Sequence, residues 1–453
     1  MIRTLLFLAS LPLLAQPAPD FHAIEQSARA ELTRLKVPGA SIAIVGGDRV
    51  IFEKGFGTAN IETGEPVRPE MLFRLGSTTK MLTASALVGL AVEGKLDLNA
   101  PVGKYITGLP PKLSQVTANQ LLSHTAGIHD EAPMYGSHDD SALGNGIHAW
   151  TDEWLFTSPG KIFSYSNPGY WMAGYLVETL AGKPYADAME ERVFGPCDMA
   201  RTTLRPTTAM TWPLAQGHHE SGGRMTVARP AADNAASWPA GSVFSRTADL
   251  AQFVIAFLND GAIAGKRVVN PKVFAILSTP HSRIPDSDAS YGYGLEIRDL
   301  RGVHIVEHSG SRMGYGSHIR MAPEQRVGII VLTNRTGAEL PVTMEKASEL
   351  MLPLQAKAEP SSKPVLTVSS EDIRRNVGLY QNGDQRLEIV TAGDRLVLKQ
   401  GSTSRTLVKH SGARYGVDGG AAEHTMVPGA DGNTEYVHNG SRAFARVPPG
   451  PEH

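Results

Sequence analysis

The chain has 453 residues and only one cysteine, Cys197, so no intrachain disulfide can form and the fold must rest on its core. Neither sign of charge is in excess: 43 Lys and Arg stand against 45 Asp and Glu. That balance excludes the basic surface nucleic-acid binding requires and the like-charge block of an interaction tail, so no nucleic-acid partner is expected. The N-terminal apolar run, Leu5 to Leu14, falls well short of the roughly 20 residues of a membrane span. Fifteen histidines are present, among them the group His124, His129, His138 with Asp130 and the pair His218-His219. No His-Glu-x-x-His or Cys-x-x-Cys pattern organises them, and neither a metal nor a cofactor is expected.

What is present is the composition of an ordinary globular protein, 42% apolar and 19% charged. The length allows about two or three domains. Met1-Ile2-Arg3-Thr4, the apolar run and Leu13-Leu14-Ala15 have the form of a signal peptide over residues 1–15. Export to the periplasm or the medium is the expectation, with no stable membrane span after cleavage. Phe21 to Lys36 carries apolar residues at helical spacing, and Gly46-Gly47-Asp48 between two apolar runs signals a hairpin. Apolar helices are expected over Met81–Val92, Tyr170–Leu180 and Asp249–Leu258, the last with Thr247 as N-cap. His129 to Gly146 has a loop composition that could line a cleft. Late strands are expected over Gly302–Glu307, His318–Met321 and Arg326–Thr333, then an amphipathic helix over Leu340–Leu352.

Strands therefore lie at both ends of residues 20–353 with helices between, the order of an α/β (α+β) domain: a largely antiparallel sheet flanked by helices, with a helical subdomain. Residues 354–365 are polar and contain proline, as a linker would. Residues 366–449 alternate in short segments between Gly, Asp and Asn turns, which predicts a small all-β barrel or sandwich.

Ser77-Thr78-Thr79-Lys80 opens the most apolar of the helices. Residues three apart share a helical face, and a serine at a helix N-terminus is favoured when negative charge develops on it. A serine hydroxyl needs a neighbouring base, and a lysine serves only if burial or nearby positive charge lowers its pKa. A second match, Ser158-Pro159-Gly160-Lys161, has a turn between its two residues and fits no shared face.

Downstream of Ser77-x-x-Lys80 come Tyr165-x-Asn167 and then His308-x-Gly310. Tyr380-x-Asn382 and His410-x-Gly412 repeat the last two motifs within the β segment, without a Ser-x-x-Lys partner. In that order, the first three resemble the serine β-lactamase and penicillin-recognising hydrolases. The branch is that of class C β-lactamases, D-Ala-D-Ala carboxypeptidases, D-aminopeptidases and related esterases, and the resemblance covers about residues 20 to 353. It implies the β-lactamase/transpeptidase-like fold and an acyl-enzyme on Ser77. Lys80 and Tyr165 would share the base role, the phenol with its pKa lowered beside an ammonium. Asn167 would hold Lys80 and bind a substrate amide. The backbone N–H groups of Ser77 and Ser311 would form the oxyanion hole. Gly310 would leave room for substrate along the strand, and His308 would bind a carboxylate or assist proton transfer.

Two departures narrow the expectation. The third motif lacks the Lys-Thr-Gly or Lys-Ser-Gly of many β-lactamases, and no asparagine has a serine two positions before it. A histidine is cationic only part of the time near neutral pH. Both points favour a secreted peptidase, amidase or esterase acting on D-amino-acid peptides, peptidoglycan-type peptides or small esters. The alternatives are a class C-type β-lactamase and a catalytically silent peptidoglycan- or peptide-binding protein. Oligomeric state is not legible.

Overall fold

The computed structural model describes residues 19–359 and 363–448; the expected signal peptide lies outside the described residues. Helix α1, His22–Arg34, precedes strands β1, Gly39–Gly46, and β2, Arg49–Asn60, joined at the expected glycine turn. With β3, Glu65–Pro66, these form one end of a nine-stranded antiparallel sheet. The rest comes from the far end of the region: β4, Ser282–Arg283; β5, Ser290–Tyr291; β6, Glu296–Leu300; β7, Val303–Arg312; β8, Tyr315–Ala322; and β9, Val327–Thr333. Spatial order is β4-β5-β6-β7-β8-β9-β1-β2-β3, so the two ends of the region meet where β9 pairs with β1.

Strand periodicity splits the sheet between two cores. Ala40, Ile42 and Ile44 of β1 and Ile329 and Val331 of β9 face α1 and α5, Pro341–Met351. Ala43 and Val45, with Ile330 and Leu332, face the larger core shared with α2, Thr79–Val92, α3, Asn167–Ala181, and α4, Thr247–Leu258. No described helix is long and apolar enough to cross a membrane.

The structure departs from the sequence expectations at several informative places. Helix α3 starts at Asn167 rather than Tyr170, because Ser166 caps it, accepting from Gly169 N–H at 3.1 Å, and Pro168 sits where a missing N–H costs nothing. Thr247 is inside α4 rather than capping it; its hydroxyl donates to Glu53 at 2.7 Å and ties the helix to β2. The expected loop from His129 contains a helix over Ala142–His148. Strand β7 runs through Arg312, well beyond Glu307, so His308, Gly310 and Ser311 all lie within it.

Beyond the polar stretch, eight antiparallel strands from Gly378–Asn382 to Ala443–Arg446 close into a barrel filled by Tyr380, Leu387, Ile389, Tyr415 and Phe444 among others. A short helix α6, Ser370–Asn376, precedes it. The all-β expectation missed this helix, although Ser369 and Asp372 form a capping box.

Candidate active site

Ser77 lies in a single 3-10 turn, Gly76–Thr78, that leads directly into α2. Gly76 has φ +57, and a Cβ there would approach Ser311 N to 2.7 Å. Gly310 is equally constrained: a Cβ would strike the Leu75 carbonyl and the Ser317 hydroxyl and come within 2.9 Å of Ser77 N. The glycine therefore makes room for the protein's own Ser77 turn rather than for substrate, which corrects its expected role. The two glycines let β7 press against that turn, bringing the backbones of Ser77 and Ser311 side by side.

Helix α2 is buried almost all round, and Lys80 is fully enclosed. Its Nζ has three close oxygen neighbours: Asn167 Oδ1 at 2.7 Å, the Ala240 carbonyl at 2.7 Å and Ser77 Oγ at 3.2 Å. Desolvation holds the amine well below the usual lysine range, with Asp130 opposing the shift and Arg442 reinforcing it. A neutral amine has two hydrogens and one lone pair. The Asn167 and Ala240 oxygens can only accept, so in that form they would take both hydrogens and leave the lone pair facing the Ser77 hydroxyl.

Tyr165 joins this group. Its ring centroid is 4.8 Å from Lys80 Nζ, and its phenol is near enough to the Ser77 hydroxyl to be acidified by it. Burial nevertheless dominates and pushes the phenol above its ordinary value. This runs against the expected lowering of the phenol's pKa, because enclosure outweighs the hydrogen bond to Ser77.

His308 also departs from expectation. Its Nδ1 donates to the Ser309 carbonyl at 2.5 Å, which fixes the tautomer, so Nε2 accepts from the Tyr291 hydroxyl at 3.0 Å. Burial above all drives its pKa to about 3. A neutral ring already engaged at both nitrogens is no cationic anchor for a carboxylate.

Several residues at the site were not singled out from the sequence for it. His124, kept neutral by burial, stacks on Tyr165 with ring centroids 4.2 Å apart and accepts from Ser166 N–H at 3.1 Å. Asp130 accepts two hydrogen bonds from Asn167, and Arg442 of the barrel pairs with Asp130. Asp130 lay in the stretch flagged as a cleft-lining loop, whereas Arg442 follows an Asn-Gly-Ser hairpin turn and carried no signal. The remaining histidines of the supposed cluster disperse: His129 stacks on Trp154, and His138 contacts Asp233 at 2.7 Å. Trp238 donates to the same Asp233 at 3.2 Å.

The cleft has two lobes meeting at Ser77 and Ser311. One, of 290 Å³, is lined by Tyr165, Tyr291, His308, Ser441 and Arg442. The other, of 450 Å³, is lined by Pro133, Met134, Asn167, Trp171 and Met313.

A family model described as Beta-lactamase matches residues 24–349. The chain belongs to that family. As a beta-lactamase family member it has the fold of a serine hydrolase group that includes penicillin-binding proteins. Penicillin-binding protein 4 of Amycolatopsis lactamdurans is 29% identical over 314 residues, 67% of this chain and 82% of that protein. Protein flp of Staphylococcus aureus is 26% identical over 329 residues, 70% of this chain, and the chain spans only 63% of flp's length. The crystal structure of SurE has the same fold at 24% identity with a TM-score of 0.77, covering 94% of this chain and 98% of that one, so the likeness includes the barrel. SurE with D-Leu gives a TM-score of 0.72 at 23% identity, covering 94% of this chain and 99% of that one.

Proposed function

We propose that this protein is an exported serine hydrolase that forms an acyl-enzyme on Ser77 from an amide or ester of a D-amino acid or short D-peptide. The observation that carries the reading is the buried Lys80 amine within reach of Ser77 Oγ, Asn167 Oδ1 and the Ala240 carbonyl, which in its neutral form commits both hydrogens to the two carbonyl oxygens and turns its lone pair to the Ser77 hydroxyl. Lys80 takes the serine proton as Ser77 attacks the carbonyl. Backbone N–H groups of Ser77 and Ser311 receive the charge developing on the carbonyl oxygen, a contribution of about 3 kcal/mol for each such donor. Tyr165, protonated at rest, gives its proton to the leaving group and takes the one Lys80 received from Ser77, so both groups end as they began.

The proton donor also orients the substrate. Tyr165 lines the smaller lobe and Asn167 the larger. The leaving group therefore occupies the smaller, more polar lobe, and the acyl part enters the larger one, where Trp171, Met134 and Met313 suit an apolar side chain. The D-Leu in the SurE structure supports an apolar D-amino-acyl group. A β-lactamase is disfavoured because the third motif supplies a neutral histidine where a cation would hold the ring carboxylate. A silent binding protein would not require a discharged lysine aimed at a serine.

The test compares the purified protein with Ser77→Ala on a p-nitrophenyl ester, a D-Leu amide, a D-Ala-D-Ala peptide and a chromogenic cephalosporin. Turnover of the ester and of a D-amino-acid substrate, abolished by the substitution, is expected, with cephalosporin cleavage slow at most. Fast cephalosporin turnover would instead assign a β-lactamase.

A further inference from the structure

The chain of contacts that fixes Lys80 does not end at Asn167. Asn167 donates to a single oxygen, Asp130 Oδ1, from its backbone N–H at 2.8 Å and from Nδ2 at 3.0 Å. The other oxygen of Asp130 accepts from Arg442 Nε at 2.7 Å, and Nη2 of the same guanidinium also touches it. Arg442 comes from the turn joining barrel strands Thr434–His438 and Ala443–Arg446, and its guanidinium stands 5.5 Å from the Tyr165 ring centroid. That turn is seated on the active-site loop. Tyr165 N–H donates to the Ser441 carbonyl at 2.8 Å, Ala443 N–H donates to Ser164 Oγ at 3.2 Å, and Asp130 N–H donates to Asn382 of the barrel at 3.1 Å.

Resting on the reading of Lys80 as the base, we infer that Asp130 and Arg442 are positioning residues: Asp130 aims the Lys80 amine at Ser77 through Asn167, and Arg442 offsets the charge of that carboxylate, so the barrel completes the catalytic machinery. Two physical effects converge. An asparagine amide can offer either its oxygen or its nitrogen to a neighbour. A carboxylate accepts only, so Asp130 draws Nδ2 to itself and leaves Oδ1 for Lys80. Were the amide reversed, Nδ2 would face the Lys80 lone pair and consume it. The second effect is charge: a carboxylate this close favours the ammonium form of Lys80, and the guanidinium beyond it opposes that influence. The other titratable groups facing Lys80 are Tyr165, Tyr170, His124 on the loop after the helix Ala118–Leu122, and His308 on β7. Burial holds all four in their neutral forms. Asp130 and Arg442 thus set the charge balance at the base.

A role in the chemistry and a purely structural role make different forecasts for pH dependence. Ser77 reactivity is followed from pH 5 to 9 on the full chain, by p-nitrophenyl acetate hydrolysis and by the rate of fluorophosphonate labelling. Activity falls on the acid side as Lys80 is protonated. Arg442→Met is expected to move that acid limb upward by about one pH unit, a loss of about tenfold on the limb. Arg442→Lys keeps the charge and leaves the limb near its wild-type position. Asp130→Asn, which still offers Asn167 an oxygen, moves the limb downward, and the double variant Asp130→Asn/Arg442→Met returns it close to wild type. Lys409→Met breaks an ion pair between a barrel strand and α6, to Asp372 at 2.6 Å, and leaves the limb unmoved. Shifts of the two single variants in the same direction, a uniform loss without a shift, or an equal shift in Lys409→Met would overturn the inference. Labelling retained in Ser77→Ala would instead overturn the nucleophile assignment, which separates the two failures.

Discussion

Glu307 and His308 are consecutive on β7, and the pleat sends them into two buried polar clusters of opposite character. On the first face Glu307 accepts from Arg298 at 2.7 Å, His318 at 2.9 Å and Arg320 at 2.7 Å, while Arg320 continues to Ser348 of α5 at 2.9 Å. These partners hold its carboxyl well below the usual range in spite of burial. On the second face lie Lys80, His308, His124 and Tyr165, each pushed by burial toward its neutral form. The first cluster buries a charge and satisfies it. The second buries groups that would carry charge, and the carboxylate near them, Asp130, is paired with Arg442 rather than with any of them. Burial is common to both, so burial does not mark the site; the missing compensation does.

The contrast is broken most severely at Lys80. Lys80→Met should lower the rate of Ser77 acylation by a thousandfold or more while the protein unfolds at no lower temperature than wild type. A lysine kept neutral in the fold but protonated when unfolded costs stability at neutral pH. A calorimetric scan beside the labelling rate checks both halves, and a large fall in melting temperature would show that the amine is structural.

Glu307→Gln should do the reverse, lowering stability by about 3 kcal/mol because Arg320 and His318 are left buried without their carboxylate, with acylation of Ser77 largely preserved. The pH dependence carries a definite sign. The folded pKa of Glu307 lies below the unfolded one, so its stabilisation is complete above about pH 4.3 and is lost as the pH falls. The variant should show a flatter acid limb in denaturant titrations from pH 3 to 6. Tyr165→Phe sharpens the comparison by the smallest margin. It should slow acylation roughly a hundredfold by removing the proton donor while leaving the Lys80 contacts intact. An effect below tenfold would leave proton return to water.

How far the sequence disclosed this arrangement follows from the range over which each contact acts. Ser77 and Lys80 are three residues apart, so their proximity follows from helix geometry. Tyr165, Asn167 and His308 were recognisable through short motifs in order. The electrostatic states of Tyr165 and His308 were misjudged because they depend on enclosure by Tyr291, His124 and the barrel turn, which no local pattern encodes. Asp130 and Arg442 are 312 positions apart, and neither has a motif. The end of β7 was also underestimated: Ser309, Gly310, Ser311 and Arg312 lack the alternation of a strand because they face the Ser77 turn and the cleft rather than a uniform apolar layer.

The seating of the barrel turn beside Tyr165 has a temporal consequence. Synthesis runs from the N-terminus, so residues 24–349 emerge with serine, lysine, tyrosine and asparagine already made while the guanidinium that neutralises Asp130 is still to come. On the inferred role of Arg442, a chain at that stage would hold its base biased toward the protonated form. Reactivity toward acyl donors would then be deferred until the barrel has folded and docked, an ordering written into connectivity rather than into any separate inhibitor.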